Sequence, residues 1–231
     1  ILTAVLVNLN NDDWLDLYIS TYKEGNFILL NKDGDLSKGE LIPLEDDKNR
    51  GFTLAPAFAD VDRNSTLDIY EGNWSIGMMG NPNRGFKSSI NYLITDPLND
   101  STRNVTSLKG PQGETLTTLF SDINGDGIQD LMVGNDFQRP EVFYKGIGNG
   151  EFELISYKDG IIPISTTLCM SINRVDLDND LVNEYLLAGA SDKELPMNLF
   201  KSPNQEICQE LVDSEERKQC EQIMNLHENI V

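Results

Sequence analysis

Four stretches of this chain place oxygen-bearing side chains at alternate positions of a nine-residue frame, the spacing with which a short loop can wrap a hard cation. The clearest is Asp122-Ile-Asn-Gly-Asp-Gly-Ile-Gln-Asp130. The same frame returns in Asn8-Leu-Asn-Asn-Asp-Asp-Trp-Leu-Asp16, Asp60-Val-Asp-Arg-Asn-Ser-Thr-Leu-Asp68 and Asp176-Leu-Asp-Asn-Asp-Leu-Val-Asn-Glu184. Their first residues lie 52, 62 and 54 positions apart, so the sequence reads as an array of repeats.

Calcium takes about six to eight oxygen ligands in loose geometry, and such a frame offers them from side chains one, three and five, the carbonyl of seven and a carboxylate at nine. The expected ligands are Asn8, Asn10, Asp12, the Trp14 carbonyl and Asp16 in the first loop. In the second they are Asp60, Asp62, Asn64, the Thr66 carbonyl and Asp68, and in the third Asp122, Asn124, Asp126, the Ile128 carbonyl and Asp130. The fourth set is Asp176, Asp178, Asp180, the Val182 carbonyl and Glu184. Up to four Ca2+ ions are expected, with 122–130 the best site because Gly127 stands at the sharp turn. Ser65 makes the second loop intermediate, and Leu181 puts a side chain where glycine is wanted. Asparagines at 8 and 10 leave the first loop only Asp12 and Asp16 as carboxylates, the weakest set.

An EF-hand needs a bidentate glutamate at position twelve and a helix on either side. Position twelve holds Ile19, Glu71, Val133 and Leu187, all in or beside strand-like sequence, so that reading fails. The glycine-rich nonapeptide of calcium-binding β-helices is absent too.

A formal charge of −20 argues against nucleic acid and anionic lipid as partners. Twelve of the 38 acidic residues fall at the alternate positions of the loop frames, so bound metal would neutralise part of that charge. Cys169, Cys208 and Cys220 form no CxxC pair and His227 is the single histidine, which sets zinc aside. Cys208 and Cys220 could join in a disulfide or merely pack, and Cys169 reads as a buried thiol. No Gly-x-Ser-x-Gly, phosphate-cradling loop or histidine placed as a general base is present, so no catalytic role is expected. No apolar run reaches the roughly 18 residues of a membrane span.

Each loop sits between an apolar stretch and a β-rich run: Leu15 to Ile19, Leu67 to Tyr70, Asp130 to Val133 and Glu184 to Leu187. A further run follows at Asn26 to Leu30, Asn91 to Ile94, Glu141 to Tyr144 and Asn198 to Phe200. Asp33-Gly34 and Asn149-Gly150 then read as hairpin turns. Four short antiparallel strands per repeat fit one propeller blade. The predicted organisation is an all-β propeller over 1–201, with repeats near 1–52, 53–114, 115–164 and 165–201. The second repeat is lengthened between Asn73 and Ser89, where Trp74 sits. Helical spacing of Ile207, Cys208, Leu211, Cys220, Ile223 and Met224 predicts a short helical hairpin within 202–231.

Asp122-Ile-Asn-Gly-Asp-Gly-Ile-Gln-Asp-Leu-Met-Val-Gly134 resembles the central motif of the FG-GAP/VCBS repeat family, the propeller repeats of integrin alpha chains and of many bacterial secreted proteins. No Phe-Gly opens the repeats, and Gly134-Asn-Asp136 stands where integrins have Gly-Ala-Pro, which is closer to the bacterial branch. The resemblance implies a calcium-stabilised propeller, extracellular, at the cell surface or periplasmic, commonly of seven blades. Four blades are visible here, and Ile1 opens inside a strand-like run, so further blades are expected before it. The expected role is a non-enzymatic protein-interaction or adhesion scaffold, alone or as a subunit of a larger assembly. The alternatives are a carbohydrate-binding propeller, suggested by Trp14 and Trp74, or the non-catalytic propeller portion of a larger secreted enzyme.

Overall fold

The computed structural model describes residues 1–22, 24–44, 52–74, 90–110, 114–136, 141–156, 169–189 and 198–201. The segment 75–89, the expected helical hairpin and both Cys208 and Cys220 lie outside the described residues. Fifteen strands and no helix occur among the described residues.

The strands form four separate antiparallel sheets, each ordered as in the sequence. The first contains β1 (Thr3–Val7), β2 (Asp16–Ser20), β3 (Asn26–Lys32) and β4 (Asp35–Pro43). The second contains β5 (Phe52–Ala59), β6 (Asp68–Trp74), β7 (Tyr92–Thr95) and β8 (Asn104–Thr106). The third contains β9 (Glu114–Ser121), β10 (Asp130–Asp136), β11 (Val142–Gly148) and β12 (Glu151–Leu154). The fourth has three strands, β13 (Cys169–Val175), β14 (Glu184–Gly189) and β15 (Asn198–Lys201).

Local chemistry explains these meanders. Asp33 and Gly34 have φ of 53° and 81°, and Asn149 and Gly150 have 54° and 73°. Two successive left-handed residues match the right-handed twist of a hairpin, the reason Asp-Gly and Asn-Gly close β3 to β4 and β11 to β12. Pro56 is tolerated within β5 because that strand is an edge and pairs on one side, with β6.

Three apolar clusters join the sheets in series. Tyr18 and Ile28 of the first sheet pack with Ile69 and Ile94 of the second. The opposite face of the second, with Tyr70 and Leu93, packs on Phe120, Leu131 and Val133 of the third. The opposite face of the third, with Met132 and Phe143, packs on Ile172, Tyr185 and Leu187 of the fourth. Alternation along each strand thus serves two interfaces at once, and each interior sheet is buried on both sides.

Close approach of neighbouring sheets demands small residues at one repeated place. A Cβ on Gly72 would lie 2.7 Å from both the Ala55 carbonyl oxygen and Thr115 Cγ2. Gly134 holds the same place in the second strand of the third sheet, and a Cβ there would lie 2.5 Å from Thr117 Cγ2 and 2.7 Å from Cys169 Sγ. Register shifts beside both glycines mark the bulges that this approach requires.

Candidate metal centres

All four acidic frames occupy the same structural place, the connection from the first to the second strand of each sheet. Position nine begins the second strand in every case. Asp16, Asp68 and Asp130 are fully buried there and Glu184 is 1% exposed.

Burial of these carboxylates is offset by backbone donors. The N–H of position two donates to position nine in all four loops: Leu9 to Asp16 Oδ2 at 2.9 Å, Val61 to Asp68 Oδ2 at 2.9 Å, Ile123 to Asp130 Oδ2 at 2.7 Å and Leu177 to Glu184 Oε2 at 2.7 Å. In the first three sheets the other oxygen accepts from the third strand or its end, from Asn31, Asp96 and Gly146. One carboxylate therefore fixes a loop to two strands.

Position one closes the turn. Asp122 accepts the N–H groups of Gly125 and Asp126 on Oδ1 and of Gly127 on Oδ2. Asp60 accepts from Asn64 and Ser65, and Asp176 from Asp180 and Leu181, in the same pattern. Position five then takes the N–H of position seven at 2.7 to 2.9 Å in all four loops: Trp14 on Asp12, Thr66 on Asn64, Ile128 on Asp126 and Val182 on Asp180. These are Asx-turns. Asn10, Asp62 and Asn124 at position three accept from position five likewise.

Two left-handed residues shape each of the last three loops, at positions four and six: Arg63 and Ser65, Gly125 and Gly127, Asn179 and Leu181. The first loop has one, Asn11. The position-six requirement is legible in Gly127. The one at position four is an addition from the structure, although glycine and asparagine there are the residue types that tolerate this conformation.

The loops differ in how their acidic groups converge. Carboxylate oxygens of Asp60, Asp62 and Asp68 lie within 4.8 Å of one another, as do those of Asp176, Asp178 and Glu184. No such trio of acidic side chains is gathered in the loop of Asp122, Asp126 and Asp130, where position three is the amide Asn124. There Lys145 Nζ lies 3.2 Å from Asp126 Oδ2. Despite partial desolvation, the Ile128 N–H, the Asn124 amide and Lys145 hold Asp126 below the usual carboxylate range. The second loop gains an acid instead: Asp96, from the turn after β7, accepts the Asn64 amide at 2.7 Å. Nothing in the sequence around Asp96 marks it as a loop partner. Burial, with the nearby Asp62 and Asp60 charges, pushes Asp68 up to about 6 against its backbone donors. Burial likewise raises Asp62, helped by Asp96 and Asp60, and Asp130.

In the first loop the Asn8 amide donates to the Asp12 carbonyl, and its oxygen is buried without a hydrogen-bond partner. Trp14 lies over the β3 to β4 turn, close enough that a Cβ on Gly34 would meet its ring at 2.9 Å.

The model of the FG-GAP-like repeat matches residues 8–71 and 122–187, more than half of the chain. This chain belongs to the FG-GAP-like repeat family. Each match begins on the first residue of one acidic loop and ends on position twelve of the next, so the family pattern spans the loops and the strands they feed. Among curated proteins none matches the chain.

The end of these FG-GAP-like repeats remote from the loops is held by polar side chains. Glu71 Oε1 accepts from Tyr18 Oη at 3.0 Å and from Asn26 Nδ2 at 2.8 Å, joining the second sheet to the first. Asn26 also donates to Thr53 Oγ1, which donates to Asn73 Oδ1. Asn91 Oδ1 takes the Asn73 N–H, its amide reaches Thr115 Oγ1, and that hydroxyl donates to Asn135 Oδ1 in the third sheet. Glu71, Asn73 and Thr115 are fully buried. The paired Gly72-Asn73 and Gly134-Asn135, at one place in the frame, are the sequence signal for this chain of bonds, and it lies outside the loops that the ligand spacing singles out.

Proposed function

We propose that this chain is a calcium-braced β-propeller segment that serves as a protein-interaction scaffold outside the cytoplasm. The observation that carries the reading is positional. One oxygen-rich frame recurs at the same strand junction of four successive sheets, which suits a repeated structural brace better than a unique active centre. The donor set fits calcium: carboxylates, amides and carbonyls with no nitrogen or sulfur ligand. The convergence of three carboxylates in the second and fourth loops supports the same assignment.

In this reading Asp60, Asp62 and Asp68 hold one ion, and Asp176, Asp178 and Glu184 another. Asp122, Asn124, Asp126 and Asp130 hold a third once Asp126 exchanges Lys145 for the ion. Bound calcium supplies positive charge that offsets repulsion among these acids and fixes the first hairpin of each blade. The serial packing of four meandering sheets suits blades arranged about an axis, with the first strands innermost. Such a rigid ring presents loops to a protein or glycan partner.

The deciding experiment is thermal unfolding with calcium and with a chelator. Saturation at about 100 times the dissociation constant contributes roughly 2.7 kcal/mol per site. A melting temperature unchanged by the chelator would exclude the brace.

A further inference from the structure

We propose that residues outside the acidic frames set the order in which two of the loops take calcium, Asp96 raising the affinity of the second loop and Lys145, with Arg63, lowering that of the third. The inference rests on the calcium reading and deepens it. For these two loops it inverts the ranking that ligand spacing and the turn glycine Gly127 give in the sequence.

One structural place governs both loops. The residue whose N–H reaches the second oxygen of position nine is Asn31 in the first sheet, Asp96 in the second and Gly146 in the third. From this place the chain also meets the side chain of position five. In the second loop Asp96 Oδ1 accepts from Asn64 Nδ2 at 2.7 Å, and the same amide donates to Asp62 Oδ2 at 3.2 Å. An acid from outside the frame thus joins Asp60, Asp62 and Asp68, whose oxygens already lie within 4.8 Å of one another. In the third sheet the place has no room for a side chain, since a Cβ on Gly146 would lie 2.2 Å from the Gln129 carbonyl oxygen. Lys145, one residue earlier, meets position five instead, with Nζ 3.2 Å from Asp126 Oδ2. The residues that precede Asn31 and Asp96 are Leu30 and Thr95, which carry no charge.

A second cation turns the same way. Arg63 belongs by sequence to the second loop, yet its Nη2 donates to the Gly127 carbonyl at position six of the third. The third loop therefore sets Asp122, Asp126 and Asp130 against an ammonium and a guanidinium, whereas the second adds a fourth carboxylate to its three. Calcium affinity follows the charge gathered at the site. A unit charge about 5 Å from a divalent ion in water-like surroundings changes that affinity about tenfold, less as salt screens it. The third loop is thus partly neutralised by the chain's own cations, and the second keeps its excess of negative charge for the ion.

The test is a calcium titration of the chelator-treated full chain, followed by nuclear magnetic resonance. The amides of Ser65 and Gly127, which donate to position one of their loops, report the second and third sites separately. In wild type the Ser65 signal should respond at lower free calcium than that of Gly127. Lys145→Met should lower the Gly127 midpoint about tenfold and leave that of Ser65 in place, and Lys145→Arg, which keeps the charge, should hold both within about twofold. Asp96→Asn retains an oxygen for the Asn64 amide while removing the charge, and should raise the Ser65 midpoint about tenfold with Gly127 unmoved. A wild type in which Gly127 responds first, or a Gly127 midpoint indifferent to Lys145→Met, overturns this ordering and leaves the calcium reading intact. No response of either amide to calcium would overturn both.

Discussion

The carboxylate of Asp130 accepts the N–H of Gly146 at 2.9 Å, so the residue that ends the third acidic loop also anchors the adjacent third strand of its own sheet. With the Ile123 N–H on its other oxygen, this buried acid is a structural junction before any ion binds.

Asp130→Ala leaves two buried N–H groups without acceptors, each costing about 1 to 3 kcal/mol. The expected loss is about 3 kcal/mol, measured as a lower urea midpoint in chelator. Because the readout is metal-free, it separates the junction from any calcium effect. A loss under about 0.5 kcal/mol would mean the loop is not held by this bond.

Asp60→Asn should abolish the calcium increment of the second loop while moving the metal-free stability little, since an amide oxygen can still accept the Asn64 and Ser65 N–H groups. Isothermal titration should then count one site fewer than in wild type. An unchanged stoichiometry would remove this loop from the set of calcium sites.

Leu181→Gly should stabilise the protein. Leu181 is 90% exposed with φ of 69°, a conformation costing a non-glycine residue about 1 to 2 kcal/mol. Glycine's larger unfolded-state freedom takes back roughly 0.4 to 1 kcal/mol. A net gain of about 0.5 to 1 kcal/mol in urea unfolding is the expected outcome.

Metal-free stability should carry an acid-side contribution from Asp68. Its folded value of about 6 lies above the ordinary carboxylate value, so the folded state binds this proton more tightly than the unfolded chain. That contribution is fully present below the ordinary value, near pH 4, and is lost as pH rises through about 6. Asp68→Asn in chelator should therefore flatten the pH dependence of the urea midpoint between about 4 and 7. A parallel profile for the variant would assign the slope to other groups.

Cys169 should resist alkylation in the folded state. Burial, with the Glu141 charge beside it, pushes its thiol up to about 12, leaving negligible thiolate at about pH 8. Peptide mapping after iodoacetamide should find residue 169 unmodified until denaturant is added. Gly134→Ala, whose new methyl would press on that sulfur, should cost about 1 to 3 kcal/mol.

Much of the strand order was legible in the sequence because each cue was local. Asp33-Gly34 and Asn149-Gly150 specify their turns by backbone conformation alone, and the run from Asp130 to Val133 is a short apolar stretch bounded by turn residues, which suits a buried strand. The loop frames were equally visible, since their polar side chains are close in sequence. What the sequence did not disclose is long-range: Asp96 joins the second loop from 32 residues beyond Asn64, and Lys145 meets Asp126 from a neighbouring strand. Of the polar chain from Tyr18 to Asn135 only the repeated pairs Gly72-Asn73 and Gly134-Asn135 left a mark in the sequence, because no spacing rule relates residues on separate sheets.

That polar chain acts as an index between sheets. Apolar faces such as those of Ile69 and Leu131 would tolerate a slide of one residue with modest change in buried area, whereas a shift of about 3.3 Å would break the bonds that cross between sheets, those of Tyr18 and Asn26 to Glu71, of Asn26 to Thr53 and of Asn91 to Thr115. Alignment of one sheet on the next is thus set by directional contacts at one end and left to non-directional packing along the rest. Connections between sheets can then vary in length, as the unequal repeat spacing does, without disturbing how the sheets lie on each other.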